Sequence, residues 1–272
     1  MKLTKALLLV LIAVFTFASC NFFPKKGGDS STTAKADESG DISYNDTFKV
    51  HFNYYADGKS VKEKIEIKQV KKDGKEVWIK DGRQWVYYQN GKLQAEFNYV
   101  NGKREGVAHQ YYGDGKTPYI DWSYKNSKKD GITIKYYQSG RVMAEMPYKS
   151  DFLGTGSQDY ADDQEHTKLT MPELKVWADD QRRYKGKYTV YAKVEDKFGK
   201  VVPKVKFTVG QLIPADGRLY ENPNLKEIAA KNNVASVTYY EINGFPPSVT
   251  VNARFSSSKG TPVLLSKTIK ID

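Results

Sequence analysis

The chain carries little with which to do covalent or metal chemistry. Of its 272 residues one is Cys (Cys20) and three are His (His51, His109, His166). One thiol excludes a disulfide framework and a thiolate-rich metal site. Three scattered imidazoles argue against a His-based dyad or a zinc site. Ser256-Ser257-Ser258-Lys259 has the spacing of a Ser-x-x-Lys nucleophile, but it runs into Gly260 and lacks partner motifs. Gly154-Thr155-Gly156 lacks the third glycine and the following helix of a nucleotide loop. Asp159, Asp162, Asp163 and Glu165 beside His166 could interest Ca²⁺, yet they lack the twelve-residue calcium-loop pattern and read equally as an acidic connector. No catalytic residue, metal or cofactor is expected.

Cys20 offers a different chemistry. Lys2 and Lys5 precede an apolar run from Ala6 to Phe17, and Ala18-Ser19 lead into the cysteine. As a helix that run spans about 18 Å, short of the roughly 30 Å hydrocarbon core. Residues 1–19 therefore read as a cleaved export signal. The arrangement resembles a bacterial lipobox, whose thiol takes a diacylglyceryl group before the cysteine becomes the mature N-terminus. The resemblance implies a lipid anchor at Cys20, for which two or more acyl chains suffice. Asn21 is similar to the residue found there in lipoproteins sorted to the outer membrane.

The expected location narrows what the charge means. The formal net charge is +11, and removing the signal leaves the chain basic. Such a field favours anionic lipid or polysaccharide surfaces, or serves solubility alone. Export sets nucleic acid aside as a partner.

The elements that would position any site begin after residues 20–46, a stretch rich in Lys, Gly, Ser, Thr, Asp and Glu that reads as a disordered tether. Residues 47–150 repeat. Gly82-Arg-Gln-Trp-Val-Tyr-Tyr-Gln-Asn-Gly-Lys92 aligns with segments beginning at Gly106 and Gly131, and Tyr54-Tyr-Ala-Asp-Gly-Lys59 is a degraded earlier unit. Phe97-Asn-Tyr99, Trp122-Ser-Tyr124 and Met146-Pro-Tyr148 recur in the second half of each unit. Asn-Gly, Asp-Gly and Ser-Gly between alternating stretches predict β-hairpins.

A three-residue turn with Gly91 in the left-handed region predicts that Tyr88 faces Lys92. Trp85, Tyr87, Leu93, Ala95, Phe97 and Tyr99 then share one apolar face. The third unit places Ile132, Ile134, Tyr136, Val142, Ala144, Met146 and Tyr148 together. A bulge near Thr117-Pro118 joins Ile120, Trp122 and Tyr124 to Val107, His109 and Tyr111, which makes His109 a core-facing stand-in for Trp85 and Ile134. The second tyrosines, Tyr88, Tyr112 and Tyr137, turn outward opposite Lys92, Lys116 and Arg141. That row either pairs with itself or offers a contact surface.

The pattern Trp85-x-Tyr87-Tyr88-x-x-Gly91-Lys92 resembles the MORN repeat, in the variant of bacterial proteins labelled antitoxins of the YwqK type. Over about residues 50–150 the resemblance implies stacked hairpins in an elongated sheet, with scaffolding, partner-binding or membrane roles and no catalysis.

Residues 151–167 read as an acidic linker. Residues 168–272 read as a β-rich domain: Tyr188, Val190, Ala192 and Val194, then Val205, Phe207 and Val209, then Val249, Val251, Ala253 and Phe255 alternate with polar residues. They predict a small sandwich with one helix from Asn222 to Lys231. The whole is expected to be mainly β: a hairpin array followed by a β-sandwich-like domain. Its expected function is non-enzymatic, that of a lipid-anchored envelope module binding a protein partner or an anionic surface. The alternative is an envelope hydrolase, or an accessory to one, using carboxylates of the C-terminal domain.

Overall fold

In the computed structural model, which describes residues 35–36 and 41–271, nearly every apolar alternation of the sequence becomes a strand. Among these residues a single antiparallel sheet of 14 strands runs from Lys35–Ala36 to Phe152–Leu153. Its body is a meander of Ile42–Asn45, Phe48–Tyr54, Val61–Lys72, Lys75–Tyr87, Leu93–Val100, Gly106–Tyr111, Pro118–Lys125, Gly131–Tyr136 and Val142–Lys149. The degraded first unit is the hairpin of Phe48–Tyr54 with Val61–Lys72, turned at Asp57-Gly58. The export signal and Cys20 lie outside the described residues.

The end of the expected tether belongs to the sheet. Ile42–Asn45 pairs with Phe48–Tyr54, and Ile42 faces the buried Val50. Asp41 is 1% exposed and accepts from Lys49 Nζ at 2.7 Å, His51 Nδ1 at 2.9 Å and the Phe52 N–H at 3.1 Å. Burial alone would raise this carboxyl, but those donors outweigh it and hold it below the usual range.

One edge of the array carries the expected turns: the Tyr88 N–H donates to Lys92 O and Gly91 has φ +79°, and Tyr137, Arg141 and Gly140 repeat the pattern. The middle turn is longer by one residue, so Tyr112 faces Thr117 and not Lys116. At the other edge two-residue turns with both φ positive, such as Asn101-Gly102, link successive hairpins.

The expected face assignment is inverted by a bulge just past each of these turns. Tyr87 pairs with Leu93 but Val86 with Ala95, leaving Gln94 extra, and Tyr119 and Met143 are the extra residues of the next two hairpins. One slipped residue exchanges the faces of one strand relative to its partner. Trp85 therefore pairs with Glu96, and Gln84 with Phe97. Ala108 pairs with Trp122, Gln110 with Ile120 and His109 with Asp121. In the third unit Thr133 pairs with Met146, and Ile134 with Glu145. One face thus gathers the buried Gln84, Ala95, Ala108, Thr133 and Ala144 beneath Phe97, Tyr99, Trp122, Tyr124 and Tyr148. His109 is not in a core; it lies half-buried on the opposite face.

Residues 151–167 are no loose linker. Phe152–Leu153 folds back on Lys149 and Tyr148, and Gln158–Asp159 pairs with Glu145 and Ala144 as the first strand of one more, incomplete repeat. Leu153 is fully buried with Ile120, Met146, Tyr148, Leu212 and Leu264. The described residues accordingly belong to one compact unit.

The C-terminal part is a sandwich of two four-stranded antiparallel sheets. Leu174, Tyr188, Val190, Ala192 and Val194 of one sheet meet Phe207, Val249, Val251, Ala253, Phe255 and Val263 of the other. The expected helix at Asn222–Lys231 does not form. Asn222 caps a turn through Asn224 N at 3.1 Å, and Lys226–Ile228 pairs with Val209–Phe207 so that Ile228 packs on the core. Edge pairing and burial override local helix propensity there. The α-helix is one turn, Arg182–Lys185, ended by the left-handed Gly186.

Candidate functional site

The second tyrosine of each pair ties one hairpin to the next. Tyr55, Tyr88, Tyr112 and Tyr137 donate their hydroxyls to the carbonyls of Tyr87, Tyr111, Tyr136 and Tyr160 at 2.7, 3.1, 2.6 and 2.8 Å. Tyr88, Tyr112 and Tyr137 are half-buried, while Lys92, Lys116 and Arg141 lie exposed at the turns. Arg141 contacts Asp162 at 3.1 Å, and the cation over the Tyr137 ring is Lys259 at 5.4 Å. The structure thus does not bring these three tyrosines and three cations together as a row.

The first tyrosines of two pairs, Tyr111 and Tyr136, and the equivalent Tyr160 make a second ladder. Tyr111, Tyr136 and Tyr160 donate to Glu96, Asp121 and Glu145 of the preceding hairpin at 3.1, 2.9 and 2.9 Å. Burial and then the adjacent carboxylate push the Tyr111 and Tyr160 phenols up to about 12, so both remain donors. Asp121 also meets His109 Nδ1 at 2.8 Å. That bond outweighs desolvation and raises the imidazole pKa, with Glu96 adding to the effect.

The sign of that shift makes a prediction. A group whose folded pKa is raised contributes stability that is complete below its unfolded value, about 6.5, and lost as pH rises through the folded value. Urea midpoints of the wild type should therefore fall between about pH 6 and pH 8.5 more steeply than those of His109→Gln. Parallel profiles would show that the pair with Asp121 is not stabilising.

The opposite face holds the arrangement that the sequence reading missed. Lys80 Nζ lies 4.9 Å from the Tyr99 ring centre, and Arg104 Cζ lies 4.5 Å from Phe97 and 5.4 Å from Tyr124. Lys129 Nζ lies 3.9 Å from Trp122 and 5.1 Å from Tyr148. These cations start successive units in Lys80-Asp81-Gly82, Arg104-Glu105-Gly106 and Lys129-Asp130-Gly131, and that tripeptide repeat was the available signal. Asp81 and Glu105 spend their carboxylates on the N–H groups of Asn101 and Asn126, at 3.0 and 2.8 Å. The rings instead neighbour the cations, a favourable electrostatic contact that leaves the positive charge available to a ligand. Phe97, Trp122 and Tyr124 are half-buried, so part of each ring remains accessible. A shallow cavity of about 240 Å³ is lined by Val86, Phe97, His109, Gln110 and Trp122.

The remaining candidates serve the fold. Lys259 points to Tyr137, and Ser257 Oγ accepts from the Lys259 and Thr261 N–H groups, so Ser256-x-x-Lys259 is a turn. A side chain at Gly154 would meet Tyr220 at 2.7 Å, which accounts for that glycine by packing. Asp162 and Asp163 accept from Ser139 and from the Thr167 N–H. Among the described residues no three His, Cys, Asp or Glu side chains gather as a metal site would require. In the sandwich Glu221 pairs with Arg254 and Glu227 with Lys206, both at 2.8 Å.

Comparison with protein-family models and with curated proteins finds no match to this chain.

Proposed function

We propose that the protein is a non-enzymatic, lipid-anchored component of the bacterial cell envelope, held at the outer membrane through Cys20. Its MORN-like sheet and C-terminal sandwich form a binding module for an anionic lipid or polysaccharide surface. The observation that carries this reading is the row of Lys80, Arg104 and Lys129 against Tyr99, Phe97, Tyr124, Trp122 and Tyr148. Equivalent positions in successive hairpins lie two strands apart, or about 10 Å. Such spacing suits a partner with repeated negative charge better than a single small anion. Amphipathic aromatic rings between the cations suit a surface that is part apolar and part wet. The net positive charge, which remains after Lys2 and Lys5 leave with the signal, adds long-range attraction that any anionic surface would feel.

Two variants of equal charge separate the row from that general attraction. One is Lys80→Gln with Arg104→Gln and Lys129→Gln; the other is Lys92→Gln with Lys116→Gln and Arg141→Gln. Cosedimentation with phosphatidylglycerol vesicles and with lipopolysaccharide should show the first variant losing at least about tenfold in affinity, since each surface cation contributes about 1 kcal/mol. The second should lose much less. Equal losses would reduce the interaction to net charge, and no loss in either would leave a protein partner as the better reading.

A further inference from the structure

The sandwich has one end at the array and one far from it. Pro172, Asp196 and Ser256 line a common cavity with Asp159 of the array, so the strands Glu173–Gln181, Lys187–Glu195 and Ser248–Ser256 each have one end there. Each strand has nine residues, which at about 3.4 Å per residue puts the other ends about 30 Å away. Two connections meet at that far end, the helical turn Arg182–Lys185 and residues 241–247. The Glu241 N–H donates to Gly186 O at 2.8 Å and joins them. Phe245 packs on the sandwich core, and Arg182 Cζ lies 5.8 Å from its ring and 5.3 Å from that of the buried Tyr188. The two loops therefore form a fixed support.

What this support presents is apolar. Tyr184 is 87% exposed and Ile242 91%, more than any other large hydrophobic side chain among the described residues. Neither packs on the core, and polar residues commonly serve such turns, so the fold does not account for them. Single exposed apolar side chains are ordinary, but these two stand on adjacent, hydrogen-bonded loops. Cations accompany them: Arg182, Arg183, Lys185 and Lys187, against Asp180 and Glu241. Arg182 holds Asp180 at 2.7 Å, and Asp179, deeper in the strand, accepts from Gln181 Nε2 at 2.8 Å. Arg183 and Lys185 are exposed and make no ion pair among the described residues. A bilayer matches this set: hydrocarbon takes the Ile side chain, the interface takes the ring and hydroxyl of Tyr, and long basic side chains reach lipid phosphates. We propose that this end of the sandwich inserts into an anionic bilayer, with Ile242 and Tyr184 entering below the headgroups and Arg183 and Lys185 on lipid phosphates. The proposal rests on the envelope reading for the presence of a membrane, and it adds a contact separate from the cation row of the array.

The test uses residues 20–272 with Cys20→Ser, so that no acyl group contributes. No other cysteine is then present. Ile242→Cys can therefore carry a single polarity-sensitive fluorophore, and Ser258→Cys, at the array end, carries the control. Phosphatidylglycerol vesicles should shift the emission at 242 to the blue and leave that at 258 unchanged, and phosphatidylcholine vesicles should shift neither. Without the labels, Tyr184→Ser with Ile242→Ser should cost at least about tenfold in affinity for phosphatidylglycerol vesicles, since both apolar side chains leave water on insertion. The melting temperature should stay nearly unchanged, because neither side chain is packed. Arg183→Gln with Lys185→Gln should also cost at least about tenfold. No binding to phosphatidylglycerol vesicles, or undiminished affinity of the double Ser variant, overturns the proposal and leaves a protein partner as the occupant of this end. Adding Lys80→Gln, Arg104→Gln and Lys129→Gln to the labelled chain separates the two contacts. A blue shift at 242 that survives those changes with undiminished affinity keeps the insertion and removes the row, whereas binding that depends on the row with no shift at 242 removes the insertion alone.

Discussion

Replacing Tyr88, Tyr112 and Tyr137 together by Phe lowers stability by about 3 kcal/mol, at about 1 kcal/mol for each hydrogen bond lost. Each hydroxyl reaches a main-chain carbonyl of the next hairpin, so the variant keeps every ring and removes only the ties. For a folded unit of this size the melting temperature should fall by about 6–12 °C. The orphaned carbonyls of Tyr111, Tyr136 and Tyr160 belong to half-buried or buried residues, so water cannot wholly replace the lost donors. The sequence reading expects the opposite, with the same three residues turned to the surface, where their replacement would leave the melting temperature nearly unchanged. Calorimetric melting of the triple Phe variant decides between them. An unchanged melting temperature with weakened vesicle binding would restore the tyrosines as a contact row.

The difference between those expectations traces to a single residue per hairpin. The turns were legible, because Asn90-Gly91 and Ser139-Gly140 carry the glycine that a positive φ requires, and the structure has φ +79° and +82° there. The bulges were not. Gln94, Tyr119 and Met143 occupy them and share no chemical type, so no local pattern marks the slip. An alternation rule applied straight through the turn then assigns Trp85 to the face of Ala95, when it pairs with Glu96. That error also hid the contact of Lys80 with Tyr99, which follows the slipped register that sets Gly82 against Tyr99, whereas Arg104 and Lys129 reach their rings through the two-residue turns that pair them with Tyr99 and Tyr124. The sandwich was easier to read. Tyr188, Val190, Ala192 and Val194 alternate over a strand that has no bulge against Glu173–Gln181. The false helix at Asn222 had a sound local start signal, but pairing of Lys226–Ile228 with Lys206–Val209 is long-range and leaves no mark on the local sequence.

Acidity misled in a similar way at residues 151–167, and the largest single-residue effect should arise there. Leu153 is 0% exposed and packs against Ile120, Met146 and Tyr148 of the array and Leu212 and Leu264 of the C-terminal part. Leu153→Ala removes a fully enclosed side chain from a site walled by both, so the cavity cannot close without moving one against the other. The cost should be about 2–5 kcal/mol. The neighbouring backbone is tied as well: the Glu221 N–H donates to Leu153 O at 2.9 Å and the Thr155 N–H to Leu219 O at 2.8 Å. The wild type should therefore resist limited proteolysis across residues 151–160 and unfold in one transition. In Leu153→Ala the same segment should become cleavable, because weakening this cluster releases both its strand pairing and its contacts with the sandwich. Cleavage of the wild type within 151–167, leaving two separately folded fragments, would make the segment the acidic linker that its composition suggests and would remove the reason for Leu153 to matter.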